Sequence, residues 1–166
     1  MADDTTRQDA WLQYIDALPS DPRQAIDAIH RWVKDAIRYE EEPGNYWQAP
    51  QETLARGRGD CEDFAILWFA SLRIHGLWPE DVRLSHINTG AGAHMICEAN
   101  IDGTWWALDN MLSRPVKFHR PPVYQTNEQG TWVGGELHAT IIEQWERVQA
   151  RMAELDSSLT ADLSGA

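Results

Sequence analysis

The 166-residue chain, 43% apolar with nine tryptophans, is long enough to fold as one domain around a core that needs neither disulfides nor metal. Its net charge of −12 excludes the basic surface that nucleic-acid phosphates demand. No apolar run is long enough to span a membrane, so insertion into one is excluded too.

The start, Met-Ala-Asp-Asp-Thr-Thr, has no basic or apolar leader region, which by itself would leave the protein cytoplasmic. Residues 6–18 place Trp11, Tyr14, Ile15 and Leu18 at helical spacing up to Pro19. Asp21-Pro22 restarts a helix as N-cap and first residue, with Ala25, Ile26, Ile29, Trp32, Val33 and Ala36 on its buried face. Glu40-Glu41-Glu42-Pro43-Gly44 reads as a solvated acidic loop, and Glu52-Thr53-Leu54 as a short turn or helix.

Gly57-Arg58-Gly59-Asp60-Cys61-Glu62-Asp63 then opens the stretch around which the chain is organised. The glycines predict a tight exposed turn, Asp60 an N-cap, and Phe64 to Ala70 a helix buried on most of its surface. That helix is expected to run from Cys61 to about His75, with Gly76 at its end and Pro79 beyond. At its N-terminus the helix dipole would favour the thiolate of Cys61, the nucleophilic form. A small buried hydrophobe is the competing reading of a free cysteine.

Val82–Ile87, Ala93–Ile101 and Thr104–Asp109 read as strands, the last two joined at Asp102-Gly103, a dipeptide suited to a two-residue hairpin turn. If Ile101 pairs with Thr104, Asp109 faces Ile96, and Met111 faces His94 if pairing persists. His94 and Asp109 then share a face as diagonal neighbours, close enough for the carboxylate to orient the imidazole. A sheet histidine satisfied by its surroundings is the plainer alternative. Cys97, one residue out of phase, packs on the opposite side. Past Pro115 the chain is irregular, with Pro121-Pro122-Val123-Tyr124 an edge or loop segment. Residues 136–155 form an amphipathic helix through Ile141, Ile142, Trp145, Val148, Met152 and Leu155. Residues 1–156 thus make a single α+β domain, followed by a disordered tail over 157–166.

With these residues in view, the chain resembles the bacterial transglutaminase-like cysteine peptidases of the LapG periplasmic type. The likeness covers roughly residues 30–135 and is densest in Tyr46-Trp47-Gln48-Ala49-Pro50, Glu52-Thr53-Leu54, Gly57 to Asp63, Ala93-His94-Met95 and Leu108-Asp109-Asn110. It implies a papain-like, transglutaminase-like fold, with Cys61 as nucleophile, His94 as general base and Asp109 as the residue that orients it. It also implies calcium, held partly by Asp60 and Glu62, a protein substrate such as a surface adhesin, an inhibitory membrane receptor and a periplasmic location. The same three residues would serve acyl transfer to an amine, and the same fold could be a catalytically idle calcium-dependent binding module. Trp47 or Gln48 is a candidate second donor to the oxyanion, beside the Cys61 backbone N–H.

Overall fold

The computed structural model describes residues 6–41, 44, 46–89, 92–117, 122, 124–134 and 139–164. Its centre is the helix α4 (Cys61–His75), in which every residue from Asp63 to Leu72 is buried. A helix apolar on all sides must be covered on all sides. Three earlier helices supply part of the cover: α1 (Arg7–Asp16), α2 (Pro22–Ala36) and α3 (Pro50–Arg56). Trp11 of α1 is fully buried and donates its indole N–H to Ser71 of α4 at 2.7 Å. α2 begins as its sequence dictates, with Pro22 in the first turn and Asp21 accepting the Gln24 N–H at 3.0 Å.

An antiparallel sheet covers the other side of α4. Its strands are β3 (Val82–Asn88), β4 (Ala93–Ile101), β5 (Thr104–Leu108), β6 (Val116–Lys117), β7 (Tyr124–Thr126) and β8 (Trp132–Val133), in the order β6-β5-β4-β3-β7-β8. Asp102 and Gly103 both take positive φ, 53° and 87°, and Ile101 pairs with Thr104. The register expected from that turn holds as far as Cys97 against Leu108. Met95, Cys97, Ala99 and Leu108 join the main core with α4, while Ile87, Ile96 and Ala107 form a small cluster of their own. Cys97 is fully buried in the core, out of phase with Ile96 as alternation requires.

Three expectations change. The irregular region past Pro115 contains three strands of two or three residues, too short to leave an alternating pattern in the sequence. Pro121 and Val123 lie outside the described residues, and Tyr124 opens β7. The last helix, α5, is described over Ala139–Ser164, so it continues through the part of the chain expected to be a disordered tail. Its buried stripe is Ile141, Trp145, Val148 and Leu155, and Ile142 faces out. Trp145 meets Phe69 of α4 edge-on, with 5.7 Å between ring centres. Among the described residues no helix is long and apolar enough to cross a membrane.

Candidate active site

The approach to the cysteine is built by a short run of tightly constrained residues. Gly57 ends α3 in the left-handed region, at φ 72°, where a side chain would be strained. Arg58–Gly59 then forms β2, which pairs in parallel with β1 (Arg38–Tyr39). Gly59 is buried, where an exposed turn was expected. A Cβ there would sit 2.6 Å from the Cβ of Asp63, because Asp63 folds back over the turn. Its carboxylate accepts the N–H of Asp60 at 3.0 Å and that of Gln48 at 2.8 Å. Asp60 caps the helix in return, accepting the Asp63 N–H at 3.4 Å. Burial first, then the nearby Asp60 charge, pushes the Asp63 carboxyl up to about 9. Asp63 was not singled out by sequence reasoning, although its place three residues after an N-cap aspartate is a capping-box signal.

Cys61 is a free, half-buried thiol at the head of α4. The helix terminus was expected to favour its thiolate. Instead the thiol is pushed up to about 12, by burial and then by the carboxylates of Glu62 and Asp60. The backbone N–H of Met95 works the other way and draws the sulfur toward its charged form. That contact places the cysteine beside β4, one residue from His94.

His94 is buried, and its Nε2 lies 2.7 Å from Asp109 Oδ1. Strand pairing stops one residue short of Asp109, so Asp109 does not face Ile96 and the exposed Met111 does not face His94. The chain turns instead. Asp109 Oδ1 also accepts the Met111 N–H at 2.9 Å, and the Asp109 carbonyl accepts that of Leu112 at 3.1 Å. Burial alone would raise the Asp109 carboxyl, but the bonds from His94 and Met111 carry it below its usual value.

This turn is gripped by α2. The ring of His30 donates from Nε2 to the Asp109 carbonyl at 3.1 Å, and Lys34, one helical turn on, donates to the Leu112 carbonyl at 2.7 Å. His30 is fully buried, stacks on Trp68 with ring centres 4.7 Å apart, and is pushed down to about 4 by that burial. Sequence reasoning gave it no partner. On the other flank His86 stacks on Tyr124 of β7 at 4.6 Å, and burial, then the neighbouring His94, lowers the His86 pKa. The Tyr124 phenol is raised to about 12, by burial and then by Glu62. Gln48 is fully spent: its amide donates to Thr53 at 3.2 Å and to the Arg58 carbonyl at 3.0 Å. It has no donor left for an oxyanion. The Trp47 indole N–H is buried against Trp132 and, among the described residues, has no partner.

The expected calcium ligands also meet. Asp60 and Glu62 are close enough to interact directly, and burial together with Asp60 raises the Glu62 carboxyl to about 8. Two crowded carboxylates suit a hard dication, but calcium needs 6 to 8 oxygens. Among the described residues no group of three or more His, Cys, Asp or Glu side chains is arranged to hold a metal.

A half-buried cysteine on a central helix, set against a histidine-bearing antiparallel strand, is a transglutaminase-like arrangement. Residues 9–110 match the sequence profile of the transglutaminase-like superfamily, and the chain belongs to that family. Among solved structures it is similar to LapG of Legionella pneumophila. The EGTA-treated form is 28% identical, with a TM-score of 0.74 and 88% of each chain covered. The calcium-bound form is 26% identical, with a TM-score of 0.72 over 91% of this chain and 93% of that one. A UPF0252 protein of Pyrococcus furiosus is 27% identical over 85 residues, 51% of this chain and 26% of its own length. The chain thus spans about a quarter of the length of the curated relatives it matches. Both the papain-like α+β fold and the LapG-type resemblance expected from the sequence are met.

Proposed function

We propose that this protein is a cysteine endopeptidase in which Cys61 is the nucleophile, His94 the general base and Asp109 the residue that orients it. One juxtaposition supports the reading: Asp109 holds His94 at 2.7 Å, and the amide of the next residue, Met95, acts on the Cys61 sulfur. With Nε2 donating to Asp109, the other ring nitrogen, Nδ1, takes the thiol proton. The sulfur attacks a peptide carbonyl carbon. The C–N bond breaks as His94 returns the proton to the leaving amine, and a thioester remains. Water, deprotonated by His94, then releases the acid and the free thiol. The oxyanion is held by the Cys61 backbone N–H, which has no intrahelical partner in the first turn.

Asp60 and Glu62 are the residues that would hold calcium. The ion would supply positive charge where the two carboxylates now oppose thiolate formation, and would stiffen the turn that carries Cys61. The LapG likeness extends the proposal to a protein substrate such as a surface adhesin, a periplasmic location and control by an inhibitory membrane receptor.

Cys61→Ala should abolish cleavage of an unfolded protein substrate while leaving the melting temperature near wild type; cleavage that survives the substitution contradicts the proposal. The family also includes acyl transfer, so the thioester should be offered a labelled amine together with a glutamine-containing peptide. Incorporation of label would reassign the same three residues to transfer.

A further inference from the structure

Among the described residues, β1 and β2 make a two-stranded sheet near the cysteine, with one strand edge open. The N–H groups of Arg38 and Glu40 donate to the carbonyls of Gly57 and Gly59, both at 2.9 Å. Alternate residues of a parallel strand bond to the same neighbour, so the N–H and C=O of Tyr39 point away from β2. Among the described residues, no backbone hydrogen bond is made on that side. The outer side of β2 is closed, its Arg58 carbonyl taken by Gln48. The free edge therefore belongs to β1.

Its position relative to the thiol is fixed by the register. Tyr39 pairs with Gly59, two residues before Cys61. Its ring lies 6.2 Å from that of Phe64, which shares a helix face with Cys61 at a spacing of three. Even so, Tyr39 is 47% exposed. Its phenol is raised by burial, then by Cys61, Glu41, Asp60 and Glu62, all of which lie around it. Natural proteins usually protect a free edge, because its unpaired groups recruit another chain. Here the edge lies close to Cys61, which acts on the Tyr39 phenol.

We propose that β1 is the docking strand for the substrate: an extended polypeptide segment of the substrate pairs with the N–H and C=O of Tyr39 and presents a carbonyl to Cys61. Pairing to an open edge supplies affinity through the main chain and is tolerant of side-chain sequence. This inference rests on the peptidase reading and names what that site binds.

The test uses acetyl-Ala-Lys-Ala-Ala chloromethyl ketone, whose methylene carbon is attacked by the Cys61 sulfur with loss of chloride. Iodoacetamide, which needs no strand, is the reference reagent, and intact mass reads the adduct. N-methylation of the peptide at successive amides should slow labelling of the wild-type protein by about tenfold at one position or more, the worth of one to two hydrogen bonds. Tyr39→Pro, which removes the outward N–H, should lower the peptide-to-iodoacetamide rate ratio by a similar factor. If no methylated position matters, the docking strand is refuted even when Tyr39→Pro does not fold. A Cys61 inert to both reagents would instead overturn the peptidase reading itself.

Discussion

His94 Nε2 meets Asp109 Oδ1 at 2.7 Å although the strand carrying Asp109 has already ended at Leu108. The contact therefore depends on the turn that follows the strand. Asp109→Asn should leave the fold intact and lower turnover by about two to four orders of magnitude, because an amide favours the wrong imidazole tautomer. Steady-state kinetics beside a thermal melt would check this, and unchanged turnover would remove Asp109 from the mechanism.

His30 is the residue that fixes this turn from behind, through the Asp109 carbonyl. His30→Phe keeps a ring against Trp68 and removes the donor. It should lower kcat by about tenfold, the scale of one buried hydrogen bond, with KM little changed. The same histidine predicts an acid limit to stability. Its pKa falls from 6.5 to about 4 on folding, so its contribution is complete above 6.5 and is lost as pH drops through about 4. Asp63 and Glu62, raised by folding, change stability in the opposite sense over the same range, so the histidine is read as a difference: between pH 7 and pH 4 urea unfolding should show the wild type losing about 2 to 3 kcal/mol relative to His30→Phe.

Gly59 and Asp63 make a structural prediction. Gly59→Ala forces a methyl group to within 2.6 Å of the Asp63 side chain and must shift the cap of α4. A destabilisation of about 1 to 3 kcal/mol is expected, with activity falling further than stability because Cys61 rides on that cap. Chemical denaturation and turnover measured on the same sample would separate the two losses.

Calcium should raise the melting temperature, and by more as pH rises. Glu62, at about 8, binds a cation only as the carboxylate, so metal must displace its proton at neutral pH. Differential scanning fluorimetry at pH 6 and pH 9, with calcium or chelator, checks this. Equal melting temperatures in all four conditions would remove Asp60 and Glu62 as ligands.

Much of this was legible in the sequence. Asp60 before and Gly76 after a largely apolar run mark the limits of α4, and Asp102-Gly103 fixes the register of β4 and β5. These are local signals whose geometry is carried by two or three residues. His30 gave no such signal, because its partner lies 79 residues away and is a backbone carbonyl, which any residue would supply. β6, β7 and β8 were missed for a related reason: two or three residues paired to distant strands show no period of their own. The thiol of Cys61 was misjudged because burial depends on what packs around the helix start, which capping residues alone do not reveal.

The central claim is that His94 activates Cys61, and the rate of Cys61 alkylation by iodoacetamide at pH 6 in calcium, compared between the wild type and His94→Ala, tests it most directly. The wild type should form a single adduct at Cys61 under these mildly acidic conditions, where an unassisted thiol is nearly inert, and His94→Ala should not. Equal rates in the two proteins, rising only as pH approaches the ordinary thiol range, would contradict it.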